Sequence, residues 1–254
     1  HHPDSDIDLC IYYRPSVPLD LQALDRIASQ IDDEHREGLL TGIGGWGPWI
    51  NGGGWLKVDK KAVDFIYRDL GKVTRVIDDC CGGQIEVVYQ PGHPHAFVSA
   101  IYLSEVALCQ ILRDPNRTIA KLKENAQPYP GQLKKAIIDR FWWEVDFSLM
   151  LARKSIGYGD TAYLAGCLYR GVTCLAQTLF AINEQYWMNE KGSIALISGF
   201  RVAPARFRER IDRLFGQIKS SPQDMENSIR TFQQLVEECE QLVNSTIKNP
   251  PDNR

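Results

Sequence analysis

The chain has 254 residues, a formal net charge of −3 and 44% hydrophobic residues. This composition is typical of a globular protein, excludes wholesale disorder, and argues against a protein that coats nucleic acid or an anionic membrane. The seven cysteines are scattered without a Cys-x-x-Cys pair, which favours reduced thiols and a cytoplasmic protein over a zinc site or a disulfide framework. No apolar run approaches the roughly 20 residues that are needed to cross a bilayer.

The first third of the chain has the pattern of a small sheet with one helix. Residues 7–13 are apolar and β-prone, and prolines at 15 and 18 end this strand. Apolar residues then recur at helical spacing within residues 19–38. Further strands are predicted at residues 55–58, 62–67 and 85–89.

After Pro94 the pattern becomes helical. Helices are predicted at 102–113, 116–126, 132–153 and from the N-cap Asp160 to about Trp187, with two more opened by Pro204 and Pro222. Strands followed by helices predict an α+β fold, with a small mixed sheet before a helical bundle. We expect the sheet domain to span residues 1–100 and the bundle 101–254. Because a core strand follows His1-His2-Pro3 so closely, we expect the N-terminal part of the first domain to be missing.

Residues that suit metal chemistry are concentrated in the string Ser5-Asp6-Ile7-Asp8-Leu9. On a strand, residues i and i+2 point to the same face, so the carboxylates of Asp6 and Asp8 project side by side. Mg²⁺ takes one or two carboxylates and completes its shell with water and phosphate oxygens. Asp64, a lone acid in an apolar β-prone run, is the candidate third ligand of a site for two metal ions. The alternative is that these aspartates only cap turns at strand ends.

The string PDSDIDLCIYY resembles the active-site strand of the nucleotidyltransferase superfamily related to polymerase β. That superfamily includes the kanamycin, lincosamide and streptomycin nucleotidyltransferases and the minimal nucleotidyltransferases. Asp6, Asp8 and Asp64 match its three acids. The strings GPWINGGGWLKVDKKAVDFIYRDL, GHPHAF and INEQYWMNEKG are similar to a bacterial subgroup with a helical C-terminal domain. The Gly-Ser turn that binds the triphosphate in this family would precede His1.

The resemblance implies a transferase of phosphorus-containing groups, which moves a nucleoside monophosphate from an NTP, usually AMP from ATP, to an acceptor hydroxyl. Asp6, Asp8 and Asp64 would hold two Mg²⁺ ions, and Ser5 and Lys191 would bind the nucleotide. Lys191 could instead be a cation at a helix C-terminus. We expect a small hydroxylated acceptor in preference to a protein or tRNA, and no membrane partner; an oligomer is possible.

Two rival interpretations follow from the same residues. One is a catalytically degenerate module of the same fold that binds a ligand or a partner, which the absence of the Gly-Ser turn from the gene would favour. The other is a helical interaction protein with an incidental sheet. The second rival predicts that Asp6, Asp8 and Asp64 do not converge in space.

The base that takes the acceptor's proton is either Asp64 or Glu144, because relatives use either the third acid or a glutamate of the helical domain. Glu144 lies in a helix that is apolar nearly all round, so we expect this helix to be buried. A buried carboxylate is costly unless it is paired or protonated, so Glu144 is expected to have a specific role there. It could have a raised pKa that suits a general base, or it could form an ion pair with a residue such as Arg170.

The segment 42–54 is rich in glycine and tryptophan but matches neither the Walker nor the dinucleotide-binding pattern. It is predicted either to border the acceptor site or to be a loop that is packed by its own tryptophans. The pair Cys80-Cys81, which precedes two glycines, predicts a turn without a catalytic role. His93 and His95 are not expected to bind zinc, because Pro94 separates them and no acid adjoins them.

Overall fold

A computed structural model describes residues 5–248, and the chain divides into two compact units, residues 1–76 and 77–254. The elements are β1 (Ile7–Tyr13), α1 (Leu21–Ile31), α2 (Gly47–Ile50), β2 (Gly53–Val58), β3 (Lys61–Asp69), α3 (Leu70–Cys81), β4 (Val87–Val88), β5 (Phe97–Val98), α4 (Ala100–Leu108), α5 (Thr118–Asn125), α6 (Gly131–Lys154), a 3₁₀ turn (Ile156–Tyr158), α7 (Thr161–Ile182), α8 (Ser193–Ile197), α9 (Phe207–Gly216) and α10 (Pro222–Lys248). The protein is therefore a mixed α and β protein with a small sheet and many helices, in agreement with the expected α+β class. The two units divide within α3, earlier in the chain than the expected domain boundary after residue 100.

The first unit is built on a three-stranded sheet in the order β1-β3-β2. β1 runs parallel to β3, and β2 pairs antiparallel with the other edge of β3. Asp59 and Lys60 join β2 to β3, and their φ values of 50° and 66° are those of a tight hairpin turn. The crossover from β1 to β3 contains α1, which begins at the N-cap Asp20.

One face of this sheet forms the core of the first unit. Leu56, Val63 and Phe65 are buried there together with Ala28 of α1, and Leu9 of β1 packs against them. Because side chains alternate along a strand, the residues between these core positions face the opposite side of the sheet.

α1 ends at Ile31, whereas the segment with helical spacing was predicted to extend to residue 38. The buried carboxylate of Asp32 accepts hydrogen bonds from the Arg36 guanidinium at 2.6 and 2.9 Å and from the backbone N–H of Lys57 at 2.9 Å. The hydrogen bonds from Arg36 hold the pKa of Asp32 well below its usual range. These bonds compete with continued helix and tie the chain after α1 to β2.

The segment 42–54 is packed largely by its own tryptophans. Trp46 and Trp55 stack with ring centroids 4.8 Å apart, and Trp49 is buried beneath the ammonium group of Lys72. A Cβ at Gly53 would lie 1.7 Å from the carbonyl oxygen of Phe65, so only glycine permits this approach of backbone to backbone. The Trp46–Trp55 stack favours the interpretation as a loop that is packed by its own tryptophans, and a contact with an acceptor stays a prediction.

α3 was not predicted, and the expected turn at Cys80 and Cys81 is wrong because both residues lie in its last turn. Val73, Ile77 and Cys80 recur at helical spacing and are buried, which explains why the helix continues through the cysteines. The turn comes afterwards, where the N–H of Gly83 donates to the carbonyl of Cys80 at 3.0 Å.

In the second unit, α6 and α7 pack along each other, and α10 packs against both. α7 begins as expected at the N-cap Asp160, whose side chain accepts a hydrogen bond from the N–H of Tyr163 at 2.9 Å. It ends at Ile182 and does not reach Trp187, because the Asn183 side chain caps it and bonds to both the carbonyl and the N–H of Val202.

Two sequence expectations about the long helices are wrong. α6 is not buried on all sides, since Trp143 is 52% and Phe147 44% exposed, one turn apart. α7 is long and apolar enough, by length and composition, to cross a membrane, although no such run was expected. In the protein, 72% of its most apolar stretch is buried.

Candidate functional site

The acids that were expected to bind metal lie on the face of the sheet opposite the α1 core. Leu9 and Phe65 enter that core, so their strand neighbours Asp8 and Asp64 face the other way. Asp8 and Asp64 are register partners on the adjacent parallel strands β1 and β3, which lie about 4.8 Å apart. Asp8 is exposed and Asp64 half-buried. The fold thus sets two carboxylates side by side on one face of the sheet.

Asp6 and Ser5 precede β1 directly, and both are exposed. Within residues 5–248, no group of three or more His, Cys, Asp or Glu side chains is arranged to hold a metal ion. Asp8 and Asp64 are therefore neighbours in the sheet, and Asp6 is close to Asp8 in sequence. The three acids do not form a preformed three-ligand site. Two carboxylates still suit Mg²⁺, whose other ligands are commonly water and substrate phosphate.

The row of side chains continues onto β2. Trp55 is the register partner of Asp64 and is 63% exposed, and Lys57 follows two residues later on the same face. Both residues lie in the strand predicted at 55–58, but no role was predicted for Lys57. The two-residue turn at 59–60 could have indicated these neighbours, because a turn of this length pairs residue 55 with 64 and residue 57 with 62.

Glu144 of α6 is held by an ion pair with Arg170 of α7 in the second unit. Arg170 donates from Nε to Oε1 at 2.5 Å and from Nη2 to Oε2 at 2.8 Å, and Arg140 lies 3.2 Å from Oε2. Burial raises the pKa of Glu144, but the hydrogen bonds from Arg170 and the positive charges of Arg170 and Arg140 together leave it below its usual value. The expectation of a raised pKa is wrong, and the ion-pair alternative is confirmed.

Arg170 also binds the segment that contains His95. Its Nη1 donates to the His95 carbonyl at 2.9 Å and lies 3.0 Å from His95 Nδ1, while Thr173 Oγ1 lies 2.7 Å from the same nitrogen. Burial, together with the charge of Arg170, lowers the pKa of His95 to about 4. His95 is therefore neutral at physiological pH.

Glu190, between α7 and α8, supplies the acid that sequence reasoning did not find near the histidines. Its Oε1 accepts from the backbone N–H of His95 at 2.9 Å and of Ala96 at 3.4 Å, and its Oε2 lies 3.4 Å from His93 Nδ1. Burial raises the pKa of Glu190, but the hydrogen bonds from His93 and the backbone, with the charge of His93, lower it by more. The pKa is therefore below its usual value. No local pattern predicts a contact between residues so distant in sequence.

Lys191 follows Glu190 and is exposed in the turn before α8. Because α7 ends at Ile182, Lys191 is not in the last turn of that helix, and the alternative role as a helix C-terminal cation is wrong. Its contact with a nucleotide stays a prediction.

Residues 97–191 match the family described as "Domain of unknown function (DUF4037)". No curated protein and no solved structure matches the chain. The matched segment contains Glu144, Arg170 and Glu190 and none of the acids of the first unit. The matched segment thus contains residues that bond to His95, but not His95 itself, and the family description gives no function for them.

Proposed function

We propose that this protein is a metal-dependent nucleotidyltransferase that moves a nucleoside monophosphate, AMP from ATP, onto the hydroxyl of a small molecule. The supporting observation is the register pairing of Asp8 with Asp64 on adjacent parallel strands, on the face of the sheet opposite the α1 core. Two carboxylates at neighbouring register positions can both turn oxygen atoms towards one cation, and carboxylate oxygens are the ligands that Mg²⁺ prefers.

In this proposal Asp8 and Asp64, with Asp6 close by, hold Mg²⁺. When bound, the metal neutralises charge on the α-phosphate. The acceptor oxygen forms a bond to the α-phosphorus, the bond from that phosphorus to the bridging oxygen breaks, and pyrophosphate leaves with that oxygen. The acceptor's proton passes to a carboxylate, which we assign to Asp64. Glu144 is less suited to this step because Arg170 occupies both of its oxygens and lowers its pKa.

The nucleotide phosphates need positive charge and hydrogen-bond donors. Lys57 lies on the same face of the sheet as the acids, two residues after Trp55, and its ammonium group would offset phosphate charge. Ser5 would contribute its hydroxyl next to Asp6. The nucleotide contact expected of Lys191, which is exposed in the second unit, stays a prediction from the family resemblance.

Calorimetry tests this proposal directly. The full chain is titrated with a non-hydrolysable ATP analogue, with Mg²⁺ and with EDTA, beside an Asp8→Asn/Asp64→Asn variant. The control is Asp139→Asn, which removes an exposed carboxylate of α6. We expect Mg²⁺-dependent binding that the control retains and that the double variant weakens at least tenfold.

The same titration separates the proposal from its rival. Equal binding with EDTA, or unchanged binding in the double variant, would contradict a metal-dependent transferase. Metal-independent binding would favour a catalytically degenerate module. Release of pyrophosphate from ATP in the presence of candidate acceptors then measures the reaction itself.

A further inference from the structure

The second unit contains a histidine whose tautomer is determined by its neighbours. Arg170 Nη1 lies 3.0 Å from His95 Nδ1, and a guanidinium has only donors. His95 Nδ1 must therefore be the acceptor of this hydrogen bond and carries no proton. In the neutral imidazole the single proton is then on Nε2.

The second nitrogen of this ring is a donor without an acceptor. His95 Nε2 is buried and has no hydrogen-bond partner among residues 5–248, and the residue is only 8% exposed. A buried unsatisfied donor costs about 1–3 kcal/mol. Arg170, Thr173 and Glu190 hydrogen-bond to the ring or its backbone, and Glu144 holds Arg170, so the ring is fixed with its Nε2–H unsatisfied by any described residue.

The charges near His95 indicate what kind of oxygen would accept from Nε2. Arg140 and Arg170 contribute two positive charges, and Glu144 and Glu190 two negative ones. An added anion would meet the two carboxylates, and an added cation would meet the two guanidinium groups. An uncharged oxygen avoids both penalties.

We propose that His95 Nε2–H is the donor of a ligand site in the second unit, which binds an uncharged small molecule through a hydroxyl or carbonyl oxygen. Arg170 is the positioning residue that keeps the proton on Nε2. The proposal does not depend on nucleotidyl transfer, because every residue in it lies within residues 77–254.

Nuclear magnetic resonance of the full chain with ¹⁵N-labelled histidine tests both parts. At pH 7, long-range ¹H–¹⁵N correlations should identify His95 as the Nε2–H tautomer. The probes are glycerol for a hydroxyl, N-methylacetamide for a carbonyl and sodium acetate for a charged oxygen. We expect a saturable shift of the His95 Nε2–H signal with at least one neutral probe, and at least tenfold weaker binding of acetate.

Two variants identify the donor. His95→Phe keeps a flat ring of similar size without nitrogen and should lose the binding of the neutral probe. His95→Gln places an amide N–H near the position of Nε2 and should retain part of it. The wild-type spectra decide the matter even if His95→Phe does not fold.

Three results would overturn the proposal. The first is a His95 with its proton on Nδ1. The second is a Nε2–H signal that no neutral probe moves, or that acetate moves at lower concentration than either neutral probe. The third is a persistent cross-peak from Nε2–H to a water molecule that the probes do not displace, which would make the nitrogen a structural water site.

Discussion

Two pairs of acidic side chains, one in each unit, contrast with each other. In the first unit, Asp8 and Asp64 are set beside each other in register on one face of the sheet. In the second, Glu144 and Glu190 are each mostly buried, and each accepts hydrogen bonds from an arginine or from backbone N–H groups. Carboxylates at neighbouring register positions can share a bound cation, whereas the oxygens of Glu144 and Glu190 are already used by protein donors. The first arrangement fits a protein that recruits a cation, and the second fits a scaffold.

The largest expected effect tests the first half of this contrast. Asp8→Asn should lower the rate of nucleotidyl transfer by at least ~10³-fold, because metal ligation at the reacting phosphate is worth several kcal/mol. Because Asp8 is exposed, the same change should alter the free energy of unfolding of the metal-free chain by less than about 1 kcal/mol. Pyrophosphate release and urea unfolding in EDTA measure the two quantities.

Asp139→Asn is the matched control for both measurements, because it makes the same chemical change at an exposed carboxylate of α6 that has no proposed role. A variant Asp8→Asn that keeps its rate within tenfold, or that loses more than about 1 kcal/mol of stability without metal, would show that Asp8 is an ordinary structural residue.

The next effect concerns the second unit. Glu144→Gln should lower the free energy of unfolding by about 3 kcal/mol, because it leaves the partly buried Arg170 guanidinium without its counter-charge. Urea denaturation at pH 7 measures this loss. Adding Arg170→Met to Glu144→Gln should recover part of it, as a double-mutant cycle would reveal. A loss below about 1 kcal/mol would mean that solvent screens this pair as it does a surface salt bridge.

A pH effect of intermediate size follows from His95. Its folded pKa of about 4 lies below the ordinary value of 6.5, so the unfolded chain binds the proton more readily. Stability from this group is complete above pH 6.5 and is lost as the pH falls towards 4. Between pH 7 and pH 5 the free energy of unfolding should drop by about 2 kcal/mol.

His95→Gln should remove the part of this slope that comes from His95, to which the charged partners of the ring add little. Glu144 and Glu190 have lowered pKa values and protonate only at more acidic pH, while Arg170 stays charged. A slope that is the same in the variant would assign the pH dependence to other residues.

The smallest effect concerns the aromatic pair beside the acids. Trp55→Leu removes the stacking on Trp46 and should cost about 1 kcal/mol of stability. If the pair is purely structural, Mg²⁺-dependent binding of the ATP analogue should stay within twofold of the wild type. A larger loss of binding would show that the exposed indole next to Asp64 contacts the nucleotide.

Local sequence patterns predicted the elements better than the contacts between them. The bounds of β1 and the starts of α7 and α10 follow from β-propensity, from an N-cap and from a proline. α3 was not predicted because it begins directly after β3, and no loop residues mark the boundary between them.

The candidate sites depended on long-range contacts to different degrees. Arg170 was a named partner for Glu144, but the sign of the pKa shift required the bidentate geometry. Asp64 was predicted as the third acid from its place in an apolar β-prone run and matched the family's third acid, but local patterns do not determine that β1 and β3 become neighbours. The contact of Glu190 with His95 joins residues 95 positions apart and leaves no local trace in the sequence.

The anchoring of residues 95 and 96 by Glu190 has a consequence for local motion. The backbone amides of His95 and Ala96 point into a carboxylate and not into a sheet or a helix. Their protons can exchange with solvent only when the hydrogen bonds to Glu190 break. Hydrogen exchange at these two amides therefore gauges how often the second unit opens locally without unfolding.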